Sequence, residues 1–365
     1  MQRAFVAPGR YLQGEGILSD LGSATATLGT QAILVADETV LSVLGDRIEA
    51  AFAEAACALS VAEFGGECTA GEIDRLTDIA RQLGADVVVG AGGGKALDTA
   101  KAVRPGISGA LVTVPTIAST DSPTSGLSVL YDADGGLDTG RTHDQRPDLV
   151  YVDTAVVAAA PTRFFVSGIG DALATEYEVR AAAGSDGETV AGGRPTRGSW
   201  AIATECGQIL REQGRAAVEA VERGAVTPAV EDVTEAIILL SGLGFENGGL
   251  AAAHAIHDGI ATAVGGDAAH GEKVCVGLLA QLALEDRPTA ERREIAAFAN
   301  DVGLPTTLAG VHVDASDDAQ LRAIAAAACD ASTSMSNQPG NVTIDDVIEA
   351  LLAVNKVGLP FDGRR

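Results

Sequence analysis

The chain has 365 residues, 47% of them hydrophobic, with a mean hydropathy of +0.20, enough apolar material for two domains with separate cores and too much for a disordered protein. Fifty acidic against 25 basic side chains leave a net charge of −25, which argues against nucleic acid as a partner because phosphate binding needs clustered Lys and Arg. Only four of the basic residues, Lys95, Lys101, Lys273 and Lys356, are lysines against 21 arginines, an acid-rich, lysine-poor balance like that of proteins from very salty cytoplasm.

The opening stretch MQRAFVAPGRYLQ has no apolar signal core, and no apolar run approaches the roughly 18 residues of a membrane helix, so a cytoplasmic protein with no membrane partner is expected. From residue 31 to 114, short apolar runs alternate with longer amphipathic ones. AILVA (32–36), LSVAEF (59–64), DVVVG (86–90) and ALVTV (110–114) are predicted strands, and 39–56, 70–83 and 94–103 predicted helices. That alternation implies a parallel sheet covered on both faces, with ligands bound beyond the carboxyl ends of its strands. YDADGGLDTG (131–140) is predicted as a hairpin connection to the strand DLVYVD.

Past Pro161 the pattern becomes helical at 162–183, 198–222, 228–243, 248–263, 271–284, 289–301, 317–330 and 343–356, with no convincing strand. The expected organisation is an α/β domain over residues 1–160 followed by an all-α domain over 161–365. Five cysteines, at 57, 68, 206, 275 and 329, form no C-x-x-C pair and read as reduced, mostly buried small hydrophobes.

Three stretches carry chemistry. DVVVGAGGGKALDTAKAV sets Gly90, Gly92, Gly93 and Gly94 between a strand and a helix, where close backbone approach and the amino end of the helix suit a phosphate. It matches neither standard glycine template, since Lys95 stands where G-x-G-x-x-G needs glycine and Ala96 follows Lys95 where a P-loop needs Ser or Thr. A glycine cluster also makes a plain strand-to-helix turn, but Lys95 and the strand context favour a dinucleotide. Asp37, after ILVA, could bind an adenosine ribose and repel a 2′-phosphate, favouring NAD, or could simply cap a helix.

VTVPTIASTDSPTSGLSVLY follows the fourth predicted strand and offers the hydroxyls of Thr116, Ser119, Thr120 and Ser125 around Asp121, the one ionisable group before Tyr131. Such a stretch can be a loop and nothing more. Its position, facing the ligand crevice of an α/β domain, lets Asp121 orient an alcohol or pass on its proton. Further on, His254 and His257 share a helix face and His270 follows, so three of the five histidines fall within 17 residues. Asp171 in SGIGDALATEYE is a candidate further ligand, or a helix cap. Imidazole and carboxylate without thiolate suit zinc, or iron or manganese, and the sequence does not select among them.

Taken together, GGGKALDTAK, VPTIASTDSPTS, GIGDALAT, GFENGGLAAAHAIHDG and HGEKV resemble, in order and spacing and over nearly the whole chain, the glycerol dehydrogenases of the metal-dependent ("iron-containing") alcohol dehydrogenase superfamily. The resemblance implies NAD contacts at Asp37, Gly94, Lys95, Asp98, Thr116, Ser119, Ser125, Leu127 and Tyr131, a substrate contact at Asp121, and zinc held by Asp171, His254 and His270. It further implies an α/β dinucleotide-binding domain and an all-α metal-binding domain with the site in the cleft between them, a polyol substrate and a homo-oligomer. His257, beside Asp258, is expected to support the site without binding the metal.

Thr175 stands four residues after Asp171, where the iron-dependent branch carries a histidine, so a three-ligand site open to a vicinal diol is expected. The chain also departs from the superfamily at SNQPG (336–340), where His-Asn-Met-Pro is usual, and in the hairpin at 132–147. The competing expectation is a sibling acting on a phosphorylated substrate, such as a glycerol-1-phosphate dehydrogenase or a dehydroquinate-synthase-like lyase. Arginines such as Arg163 could serve it, although Lys273 is the only lysine between Lys101 and Lys356. The surplus of acidic groups predicts salt-dependent folding: the melting temperature followed by circular dichroism should rise between dilute buffer and molar KCl, and an unchanged value would refute the salt-adapted reading.

Overall fold

The structure is a computed structural model that describes residues 2–132, 136–185, 187–265 and 268–358. Its elements run, in chain order, β1 (Tyr11–Gly14), α1 (Leu21–Thr25), β2 (Gln31–Ala36), α2 (Glu38–Phe52), β3 (Ala58–Glu63), α3 (Ala70–Gln82), β4 (Val87–Gly92), α4 (Gly94–Val103) and β5 (Ala110–Pro115). There follow β6 (Leu127–Tyr131), β7 (Leu137–Thr142), β8 (Leu149–Asp153), α5 (Thr154–Ala159), α6 (Thr162–Ala183) and α7 (Arg197–Val221). The rest is helical: α8 (Pro228–Glu235), a π-helical turn (Ala236–Leu240), α9 (Ser241–Gly248), α10 (Ala252–Val264), α11 (His270–Leu284), α12 (Thr289–Asp301), α13 (Asp318–Ala328) and α14 (Ile344–Val357).

The chain forms two compact units. One comprises residues 7–161 and 220–242, and the other residues 1–6, 162–219 and 243–365. The expected cut after residue 160 differs from this division in two segments, each tied in by specific side chains. Glu231 on α8 accepts from Gln13 Nε2 at 2.7 Å and from Thr154 Oγ1 at 2.6 Å, which ties 220–242 to β1 and α5. Residues 1–6 join the helical unit because Asn247 on α9 bonds both the Val6 amide, at 2.6 Å, and the Val6 carbonyl, at 2.9 Å.

In the first unit six parallel strands run in the order β1-β8-β5-β4-β2-β3. Both faces are covered, so the strands are apolar on both sides, as QAILVA in β2 shows. Leu34, Val87, Val89 and Val112 pack with Val40, Leu44, Ile48 and Phe52 of α2, while Ile33, Val35, Val88 and Leu111 pack with Ile73 and Leu76 of α3 and Ala100 and Val103 of α4. β1 and β6 are strands that periodicity missed. β6 pairs antiparallel with β7 in a hairpin that starts before and ends after the predicted connection at 131–140, of which residues 133–135 lie outside the described residues.

The second unit is helical, and α11 runs through its centre with Val274–Leu282 buried all round and α6, α10, α12 and α14 packed about it. The predicted helices 228–243 and 248–263 are redrawn: helix continues through the π-helical turn to Gly248, and α10 begins at Ala252. Helices α6 and α11 meet through glycine, because a Cβ on Gly170 would overlap the Gly271 carbonyl and one on Gly271 the Ser167 carbonyl. The Gly271 amide donates to Ser167 Oγ at 3.1 Å across the same contact. Four of the five cysteines are buried, Cys329 being half-buried, and burial pushes the Cys275 thiol up to about 12.

The two kinds of helix glycine should respond oppositely to alanine. Gly271→Ala should lower the unfolding free energy by about 1–3 kcal/mol through overpacking. Gly45→Ala on α2, where a Cβ meets nothing, should raise it by roughly 0.4–1 kcal/mol. Thermal and urea unfolding of the metal-free variants measure both, and equal signs would refute the close-contact explanation.

Candidate active site

In the α/β unit the chain leaves β2 for β3 on one side and then returns across β2 to place β4 on the other, so the strand order reverses between β2 and β4. Open parallel sheets bind ligands at such a reversal, beyond the carboxyl ends of the strands. Three predicted segments emerge there from neighbouring strands: Asp37 from β2, Gly93–Lys95 from β4 and Thr116–Ser125 from β5. Gly92, with φ of 151°, takes a backbone conformation closed to other residues, and Gly93 hands the chain to α4, so the first amides of that helix face the loop side. A Cβ on Gly94 would lie 3.6 Å from Thr120 Oγ1, which sets the β4 and β5 loops side by side.

The expected cofactor residues are brought together with different duties. Lys95 Nζ lies 2.7 Å from Glu67 Oε2 and 4.7 Å from the centre of the Tyr131 ring. Asp37 caps α2, its Oδ1 accepting from the Val40 amide at 2.8 Å. Thr116 is buried, and its amide donates to the Gly92 carbonyl at 3.1 Å, while Ser119 stands half-buried in the same loop. Asp98 faces inward: Oδ1 receives Ser122 Oγ at 2.7 Å and Lys101 Nζ at 3.0 Å, and Oδ2 the Val129 amide at 3.0 Å. Lys101, 2% exposed, also donates to the carbonyls of Ser122 at 2.6 Å and Leu127 at 2.8 Å and reaches Ser125 Oγ at 3.4 Å. Asp98, Ser125 and Leu127 thus belong to a buried knot around Lys101 that shapes the loop. Residue spacing had not singled out Lys101, whose sign in the sequence was its place in a chain with four lysines.

Asp121 is buried and its Oδ2 accepts from Ser241 Oγ at 2.8 Å, a partner 120 residues away that no local pattern announces. Ser241 follows the π-helical turn Ala236–Leu240, the kind of helix distortion that often accompanies a functional site.

In the helical unit Asp171 (α6), His254 (first turn of α10) and His270 (first residue of α11) converge. Asp171 Oδ1 lies 3.2 Å from His254 Nε2 and 3.0 Å from His270 Nε2, with one donor atom of each residue within 4.8 Å of the others. A tetrahedral ion with bonds of ~2.1 Å needs donors about 3.4 Å apart, so the set fits a divalent metal. Asp171 is fully buried; burial alone would push its carboxyl up, yet His270 and His254 hold it far below the usual carboxylate range. Burial opposes a charged His254, yet Glu178 and Asp171 raise its pKa well above the ordinary histidine value. Both directions express one demand, for positive charge beside Asp171.

Position 175, one turn beyond Asp171, is threonine and not histidine, and among the described residues the group of histidine and carboxylate donors has three members. His257 stays outside the group: its Nδ1 lies 3.0 Å from Asp258 Oδ1, its ring meets His270 edge-on at 4.3 Å, and burial together with His270 lowers its pKa to about 4. His254→Ala should abolish zinc uptake, whereas His257→Ala should leave the metal in place; metal content after desalting measures both, and equal loss from the two variants would refute the asymmetry.

Comparison with known proteins shows the family. Residues 8–154 match the family described as iron-containing alcohol dehydrogenase. The chain is 46% identical to the glycolaldehyde reductase of Halobacterium salinarum, over 98% of each chain, and 44% identical to the glycerol dehydrogenase of Pseudomonas putida, over 99% of each. The crystal structure of a probable glycerol dehydrogenase from Sinorhizobium meliloti superposes with a TM-score of 0.91 at 41% identity, covering 97% of this chain and 99% of that one. At these identities over nearly its full length, the chain belongs to the iron-containing alcohol dehydrogenase family and is an oxidoreductase.

Proposed function

We propose that the protein oxidises glycerol and related vicinal diols with NAD, converting glycerol and NAD+ to dihydroxyacetone, NADH and a proton. The observation that carries this reading is the convergence of Asp171, His254 and His270 with threonine, not histidine, at position 175, a donor set of three that leaves an ion open to two neighbouring substrate oxygens. Bound there, zinc would supply Lewis acidity that lowers the pKa of the alcohol, and NAD would accept the hydride. Iron or manganese would fit the same donors.

The chain's own residues bind and orient. Asp171 and the two imidazoles hold the ion. Asp121, fixed by Ser241, positions a substrate hydroxyl through its carboxylate. The amides at the start of α4 and the Lys95 ammonium take the cofactor's phosphates, the hydroxyls of Thr116 and Ser119 and the ring of Tyr131 line its path, and the Lys101 knot holds Ser125 and Leu127 in place for it. The charge of Asp37 at the end of β2 favours NAD over its 2′-phosphorylated relative.

The 46% identity to a glycolaldehyde reductase favours a second reading of the same site, reduction of a small hydroxyaldehyde, which also carries oxygens on adjacent carbons. A homo-oligomer in the cytoplasm, without nucleic-acid or membrane partners, completes the proposal. It is consistent with the charge of −25 and with the finding that, among the described residues, no single helix is long and apolar enough to cross a membrane.

Coupled NAD(H) absorbance over glycerol, 1,2-propanediol, glycolaldehyde, glycerol 1-phosphate and ethanol, before and after chelation, tests the proposal. Turnover of glycerol should exceed that of ethanol, vanish on chelation and return with zinc, and kcat/KM of Asp121→Ala should fall by about 10²-fold or more. Activity on the phosphate ester alone, or activity indifferent to chelation, would overturn it.

A further inference from the structure

Glu178 lies on α6 seven residues after Asp171, two turns along and on the same face of the helix, and has no exposed surface. Its Oε2 is 2.6 Å from Nδ1 of His254. Its Oε1 accepts from the backbone amides of Ala251, at 2.8 Å, and His254, at 3.0 Å. α10 starts at Ala252 with Ala251 as its cap residue, which has no side chain to close the helix, so the carboxylate of another helix does so. Gln281 of α11 takes a third amide, that of Ala253, at 2.9 Å.

We propose that Glu178 is the positioning residue for the metal site, fixing the tautomer and the aim of His254; this rests on the metal reading of Asp171, His254 and His270. A carboxylate only accepts, so Nδ1 facing Oε2 keeps its hydrogen, and when the proton on Nε2, which faces Asp171 Oδ1 at 3.2 Å, is displaced, the neutral ring has its lone pair on Nε2. A metal needs that lone pair. The two amide bonds to Oε1 stop the carboxylate from turning away, so the backbone of the first turn of α10 and the ring of its histidine are set by one group.

A buried carboxylate that merely capped α10 would satisfy the amides equally well, and Glu178→Gln separates the two roles. The glutamine oxygen can keep both amides, while its NH2 faces Nδ1 and makes that atom an acceptor, which moves the ring proton to Nε2 and blocks the ligand atom. Zinc affinity, measured by competition with a chromogenic chelator on the full chain, should fall by about 10–100-fold in Glu178→Gln, with the melting temperature of the metal-free protein nearly unchanged. Glu178→Ala, which loses the cap as well, should lower both.

The ring state of His254, read by nitrogen NMR of the zinc-loaded, histidine-labelled parent, needs no variant: a proton on Nδ1 with none on Nε2 supports the proposal, and a proton on Nε2 alone overturns it. If Glu178→Gln binds zinc as tightly as the parent, the role of Glu178 fails while the metal site stands. If the parent takes up no zinc, iron or manganese, the metal reading fails and the proposal falls with it.

Discussion

A carboxylate wholly shut off from water must be met by positive charge or by donors, since an unmatched buried ion costs several kcal/mol. In the helical unit Asp171 imposes that requirement, and three helices are arranged to meet it. α6 and α11 approach backbone to backbone at Gly170 and Gly271, the residues directly beside Asp171 and His270, so the imidazole of His270 arrives where a side chain at either glycine would have held it off. α10 is held by its amino end, which receives Glu178 from one of these helices and Gln281 from the other. α6 and α11 thereby also orient α10.

The α/β unit solves a related problem with the opposite sign. Lys101 is a buried ammonium, and the oxygens of Asp98, Ser122, Ser125 and Leu127 surround it. Because those oxygens come from α4, from the loop after β5 and from the start of β6, a single cation fastens the loop and that strand to the helix whose amino end faces the reversal of strand order. The segments that meet a ligand are thus backed by interior electrostatics, as preorganised binding requires.

Much of this was legible beforehand. The buried strands β2, β4 and β5 read as unbroken apolar runs because both faces are covered, and helices such as α3, α6 and α12 begin and end within a residue of their predicted limits. The cluster of Asp171, His254 and His270 was legible in part because histidine is rare here and three stand close together in the sequence. What escaped depends on long-range pairing. β1 is four residues long and half-buried, with no periodicity to detect. The membership of 220–242 rests on Glu231, and that of 1–6 on Asn247, through bonds spanning up to 241 residues. Glu178 did leave a trace, the heptad step from Asp171, but the step gains meaning only once α10 is known to end there. Asp98 looked like a cofactor ligand by resemblance, and only coordinates show its oxygens turned toward Lys101.

The π-helical turn before Ser241 has a cost and a use in terms of chain length. Such a turn accommodates one residue more than an α-helix would over the same rise, and each residue advances a helix by about 100°. Shortening the chain by one residue within Ala236–Leu240 would restore regular hydrogen bonding and at the same time swing Ser241 round the helix, away from the Asp121 carboxylate. An irregularity that looks like a defect in secondary structure is therefore a register setting, and gaps between related chains at this point should track how each one holds the carboxylate that Ser241 meets here.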